Sequence, residues 1–111
     1  MNIVFHKELA RGRWFGLSLM EQMGNIGSEV GRAAMWYGKN EEHLWHAANR
    51  ALELFDLTLA DVRWKGRLRE IARAREVFCD AMNGGKEYGS TLRDLDRYFL
   101  PFAAAARKDL S

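Results

Sequence analysis

The chain has 111 residues, 48% of them apolar, with four Trp, six Phe and three Tyr, which is one domain's worth of core and leaves no room for a second domain. A formal net charge of +2 gives no global sign of a nucleic-acid partner, and Cys79 stands alone, which excludes an internal disulfide and suits a reducing compartment. The charges in MNIVFHKELARGRWFG interrupt the apolar stretch a signal peptide needs, and no window approaches the roughly 18 apolar residues of a membrane span, so a cytoplasmic protein without a membrane partner is expected.

Residues 1–12 form a lead-in in which Ile3, Val4 and Phe5 suit either an extended strand or a tail packed on the domain. From about Trp14 to Tyr37, the residues Leu17, Met20, Met23, Val30, Ala34 and Met35 fall on one side of a helical wheel and predict a first helix with that side inward. Gly24, Gly27 and Gly31 lie within the same stripe. Each should cost roughly 1 kcal/mol of helix propensity relative to alanine, so they predict a seam where another helix backbone comes close. Gly38 is placed to end the helix.

Asn40 suits an N-cap and Glu41 and Glu42 suit the first turn of a second helix, expected over about 41–60. Leu44, Ala47, Ala48, Ala51, Leu52, Phe55 and Leu59 form its expected core face, and His46, Asn49, Arg50, Glu53 and Asp56 its outer one. Asp61 to Gly66 reads as a connection, and a third helix follows over about 67–82 with Leu68, Ile71, Ala72, Phe78, Cys79 and Met82 inward, stopped by Asn83, Gly84 and Gly85. Ser90 or Thr91 caps a fourth helix burying Leu92, Leu95, Phe99, Phe102 and Ala106. Pro101 lies on its outer side, where it should kink the helix or divide it. The expected fold is therefore an all-α, up-and-down four-helix bundle forming a single domain over 1–111.

The stretches NIGSEVGRA (25–33), RALELFDLTLAD (50–61), REVFCDAMNGGKEYGST (75–91) and DRYFLPFAAAAR (96–107) resemble a family of small prokaryotic four-helix-bundle proteins, over most of residues 20–107. The resemblance implies the fold and no activity. A looser, fold-level similarity connects the chain to HEPN-type bundles, some of which are partners of nucleotidyltransferases and some ribonucleases. The nuclease members place an Arg four to six residues before a His, and His6, His43 and His46 have none at that spacing here, so that activity is not carried over.

Arg75 is the most informative misfit, since the wheel sets it inside the apolar stripe of the third helix. A charge there needs a carboxylate, with Asp96, Asp56 or Glu29 as candidates. It implies either a structural ion pair or, with Asp96 and Asp56, an anion-binding cavity, unless the local helix phase differs and Arg75 snorkels to water. Arg63, Lys65, Arg67, Arg69 and Arg73 make the one basic concentration, beside Trp64 and extendable by Arg93 and Arg97. It suits a phosphate-bearing or nucleic-acid surface, but the acidic residues that follow make solvated local pairs the expected role. His43 and His46 share a helix face without the further Glu and His elements a dimetal bundle needs, so no metal or cofactor is expected. The loop from Gly84 to Thr91 leads into a helix start, where free amides favour anions, but it lacks the spacing of a phosphate-binding loop. Cys79 reads as a core thiol.

With no general acid–base pair, no nucleophile beside a base and no metal shell, an enzyme is not expected and no catalytic residue is assigned. The leading expectation is a non-enzymatic interaction module, self-associating or held by a protein partner through apolar groups left outside the core, Leu57, Trp45 and Tyr98. The alternative is an anion- or nucleotide-binding bundle, the HEPN-like partner of a nucleotidyltransferase.

Overall fold

The computed structural model describes residues 12–110, with side chains to Lys108. The lead-in expected over residues 1–12 and His6 thus lie, apart from Gly12, outside the described residues. Four α-helices follow a short 3-10 turn at Trp14–Gly16: α1 Leu19–Trp36, α2 Glu41–Leu59, α3 Leu68–Met82 and α4 Leu92–Leu110. A second 3-10 segment, Val62–Arg67, joins α2 to α3. The protein is an all-α four-helix bundle in which α1 packs most extensively on α4 and α2, while α3 touches α2 and, more sparsely, α4.

Helix ends are set by local hydrogen bonds. Asn40 Oδ1 accepts from the His43 amide at 2.9 Å, and Gly38 ends the preceding helix with φ +76°, a conformation that favours glycine. Thr91 caps α4 reciprocally: its hydroxyl accepts from the Asp94 amide at 3.1 Å and the Asp94 carboxylate accepts from the Thr91 amide at 2.9 Å. The same box forms at Ser18 and Glu21, and it moves the start of α1 to Leu19. The earlier start expected at Trp14 is therefore incorrect. Leu17 and Ser18 are extended, and Trp14 turns back to be fully buried.

Two helices are rotated from their expected phase. In α1 the buried face is Leu19, Gln22, Met23, Ile26, Val30 and Ala33, whereas Met35, expected inside, is 49% exposed. In α3 the buried residues are Ile71, Ala74, Phe78 and Ala81; Leu68 is exposed, and Ala72, Cys79 and Met82 are only half-buried. The expected stripe favoured large side chains, but the inward face of α3 alternates large residues with alanines. In α2, Leu54 and Thr58 are buried, with Leu52 and Leu59 at the margin. The core stripe of α4 is as expected, except that Phe102 is half-buried. That helix runs through Pro101 without division, and the ring lies on its exposed side.

The glycine seam packs as expected. A Cβ at Gly24 would lie 3.1 Å from Ala103 Cα, one at Gly27 2.5 Å from Phe99 Cβ, and one at Gly31 2.9 Å from Asp96 Oδ1. Rising numbers on α1 meet falling numbers on α4, so the two helices are antiparallel and in close approach. Phe99 then reaches the centre, its ring 6.0 Å from Phe55, which is also 6.0 Å from Phe78. Such ring pairs contribute about 0.5–1.5 kcal/mol beyond their area burial.

Candidate functional site

Arg75 is not a buried misfit. With α3 rotated, it stands at the edge of the helix's buried face, its side chain 34% exposed, and forks onto the 61% exposed carboxylate of Asp56 at 2.9 and 3.5 Å. Of the three candidate partners, Asp56 is the one engaged. Glu29 instead accepts from Arg32 at 2.6 Å and Arg50 at 3.1 Å, tying α1 to α2, and Asp96 lines a cleft between α1 and α4. Arg75, Asp56 and Asp96 therefore do not form one cavity. An ion pair this open to water contributes under about 1 kcal/mol. Arg75→Leu should accordingly shift stability by less than about 1 kcal/mol, read from the midpoint of urea unfolding.

Most of the basic segment is engaged in local pairs. Arg67 bonds Glu70 at 2.8 Å, Arg73 lies 3.7 Å from Glu76 and 5.5 Å from the centre of the Tyr88 ring, and Arg97 lies 3.7 Å from Asp94. Lys65 and Arg69 are exposed. The cationic side chains thus alternate with carboxylates around α3 rather than forming one undivided surface.

Arg63 belongs to a buried network that sequence reading missed. Asp61, 4% exposed, accepts from the Arg63 guanidinium at 2.6 and 3.0 Å, from the Arg63 amide at 3.1 Å and from Gln22 Nε2 at 3.0 Å. Gln22, fully buried, also donates to the Trp14 carbonyl at 3.0 Å and accepts from Trp64 Nε1 at 2.9 Å. Trp14 Nε1 donates to Thr58 Oγ1 at 3.0 Å, and Arg63 reaches the Leu17 carbonyl at 2.7 Å while lying over the Trp64 ring. Arg63 first, with Gln22 assisting, holds the Asp61 carboxyl down at about 2 against its own burial. Its polar capacity is filled from within, so it latches the α2–α3 connection to the start of α1 instead of receiving a ligand.

The loop before α4 has the same self-sufficiency. Asp80 Oδ1 accepts from the Glu87 amide at 3.0 Å and Oδ2 from the Tyr88 amide at 2.9 Å, so the protein's own carboxylate occupies the place of an anion. Tyr88 donates its hydroxyl to Glu76 at 3.0 Å, and that carboxylate raises its pKa. Cys79 is half-buried, its sulfur 3.9 Å from Arg75 Nη1. His43 packs on Trp36 with ring centres 4.6 Å apart, and no group of three His, Cys, Asp or Glu side chains poised for a metal occurs among the described residues.

Of the apolar groups expected outside the core, Trp45 is 43% and Tyr98 39% exposed, while Leu57 packs half-buried against the core. Tyr98 donates to Glu70 at 3.2 Å, and its hydroxyl is pushed up to about 12, by burial first and by Glu70 second. The more exposed apolar residues Met35 (49%) and Leu100 (57%) instead flank an open cleft of about 410 Å³ between α1 and α4. Asp96, Ala103 and Arg107 line the same cleft. Among the described helices, none is long and apolar enough to cross a membrane. No family model, no curated protein and no solved structure matches this chain, and its function must be read from its own geometry.

Proposed function

We propose that this chain is a non-enzymatic protein-interaction module that associates with itself, docking through the outward face of α1 and α4. The observation that supports this reading is the placement of Met35 and Leu100, 49% and 57% exposed, beside an open cleft on one face. Removing apolar area from water contributes about 25 cal/mol per Å², and such side chains clustered at a groove mark contact surfaces more than they mark isolated surface positions. By contrast, several of the groups that would hold an anion are internally engaged: Arg75 by Asp56, Arg63 by Asp61, and the amides of Glu87 and Tyr88 by Asp80. Sedimentation equilibrium across a concentration series tests the reading. A dimer with a dissociation constant in the micromolar range is expected, and a monomer persisting to about 100 μM, where the binding free energy would be weaker than roughly −5.5 kcal/mol, would overturn it.

A further inference from the structure

We infer that the self-association just proposed, on which this inference rests, brings two copies together by antiparallel packing of α4 on α4, with Asp96 of each copy paired to Arg107 of the other. The helix carries two parallel stripes. Leu92, Leu95, Phe99, Phe102 and Ala106 face the bundle. One residue further on, Asp96, Leu100, Ala103 and Arg107 repeat at intervals of four, three and four and line the open cleft. Those intervals are the a and d positions of a heptad, the spacing by which one helix seats its side chains between those of another. Thus α4 has one such seam inside its own bundle and a second at the cleft, where Asp96 and Ala103 border α1 and are half-buried while Leu100 and Arg107 are exposed.

The second seam is symmetric in spacing and antisymmetric in charge. A two-fold axis midway along it sets Leu100 of one copy opposite Ala103 of the other, and Asp96 opposite Arg107, so each dimer gains two complementary charge pairs and an apolar centre. A parallel arrangement would instead set Asp96 against Asp96 and Arg107 against Arg107, which electrostatics disfavours. Both side chains are available. Neither Asp96 nor Arg107 has an ion pair among the described residues, and the one other cation lining the cleft, Arg32, is held by Glu29 at 2.6 Å. Ala103, Ala104 and Ala105 keep that half of the helix slim, so the Leu100 side chain of the second copy can enter the cleft.

Charge reversal tests the register. In sedimentation measurements, Asp96→Arg and Arg107→Asp should each weaken the dimer about tenfold or more, because every interfacial pair becomes like-charged. An equimolar mixture of the two variants should recover an affinity within about threefold of the original. In the mixed dimer the introduced arginine of one copy meets the introduced aspartate of the other, and the native Arg107 meets the native Asp96, so both ends carry opposite charges again. Circular dichroism checks that each variant keeps its helices. A second measurement does not depend on Asp96→Arg folding: in a Cys79→Ala background, subunits carrying Leu100→Cys and Ala103→Cys should cross-link on oxidation when mixed, and neither should when alone. A native chain that dimerises while the mixture shows no recovery and the mixed cysteines do not cross-link overturns this register and leaves self-association standing. A native chain that stays monomeric overturns both.

Discussion

Replacing Asp61 with alanine should cost the bundle about 3 kcal/mol of stability, lowering the thermal midpoint by roughly 10 °C or more. The carboxylate is 4% exposed and accepts from Gln22, the Arg63 amide and the Arg63 guanidinium together. Its removal leaves Gln22, fully buried, with an amide proton aimed at an empty space, and loosens the hold of Arg63 on the Leu17 carbonyl before α1. An uncompensated buried donor costs far more than an exposed pair such as Arg75–Asp56 contributes, and thermal melts of the two variants side by side would show that difference.

The same carboxyl gives a pH signature. Its folded-state pKa is depressed from 3.8 to about 2, with the Arg63 hydrogen bonds as the first cause, so the unfolded chain takes up this proton before the folded one. The stabilisation is therefore complete above about pH 4 and is lost as pH falls toward 2. Asp61→Asn should remove that slope. Unfolding free energies of the two proteins should converge as pH falls through this window, and a constant difference would show that the carboxylate's charge is not what the network holds.

The second large effect is expected at the α1–α4 contact. Gly27→Ala should destabilise by about 2–3 kcal/mol even though alanine improves helix propensity by roughly 1 kcal/mol. Its Cβ would lie 2.5 Å from Phe99 Cβ, well inside contact distance, and Phe99 is wedged at the centre of the core beside Phe55. Neither can yield without separating the helices. Gly24→Ala meets the Ala103 backbone at 3.1 Å and should cost less, since a shift of a few tenths of an ångström suffices. Gly31→Ala meets the far end of the Asp96 side chain at 2.9 Å, which can swing aside, so the propensity gain should leave it as stable as the native chain or more so. Melting temperatures in the reverse order would show that these helices do not meet as described.

What the amino-acid order made legible was much of what a few neighbouring residues cause, though the Ser18–Glu21 box that starts α1 went unread. Asn40 bonds an amide three positions on, Gly38 supplies a left-handed turn, and Thr91 and Asp94 cap each other, so the limits of α2 and the start of α4 could be read within a residue or two. The three glycines also announced their seam, because glycines repeated along one helix stripe carry a propensity cost that only close packing offsets. Tertiary structure decided the rest. Which face of α3 turns inward depends on how its neighbours fit against Ala74 and Ala81, and that choice moved Arg75 from an apparent buried charge to a surface pair with Asp56. The latch joins Trp14 to Thr58 and Gln22 to Asp61, partners 44 and 39 residues apart. No periodicity or spacing records such a pairing, because a hydrogen bond between distant residues exists only once the helices around it have packed.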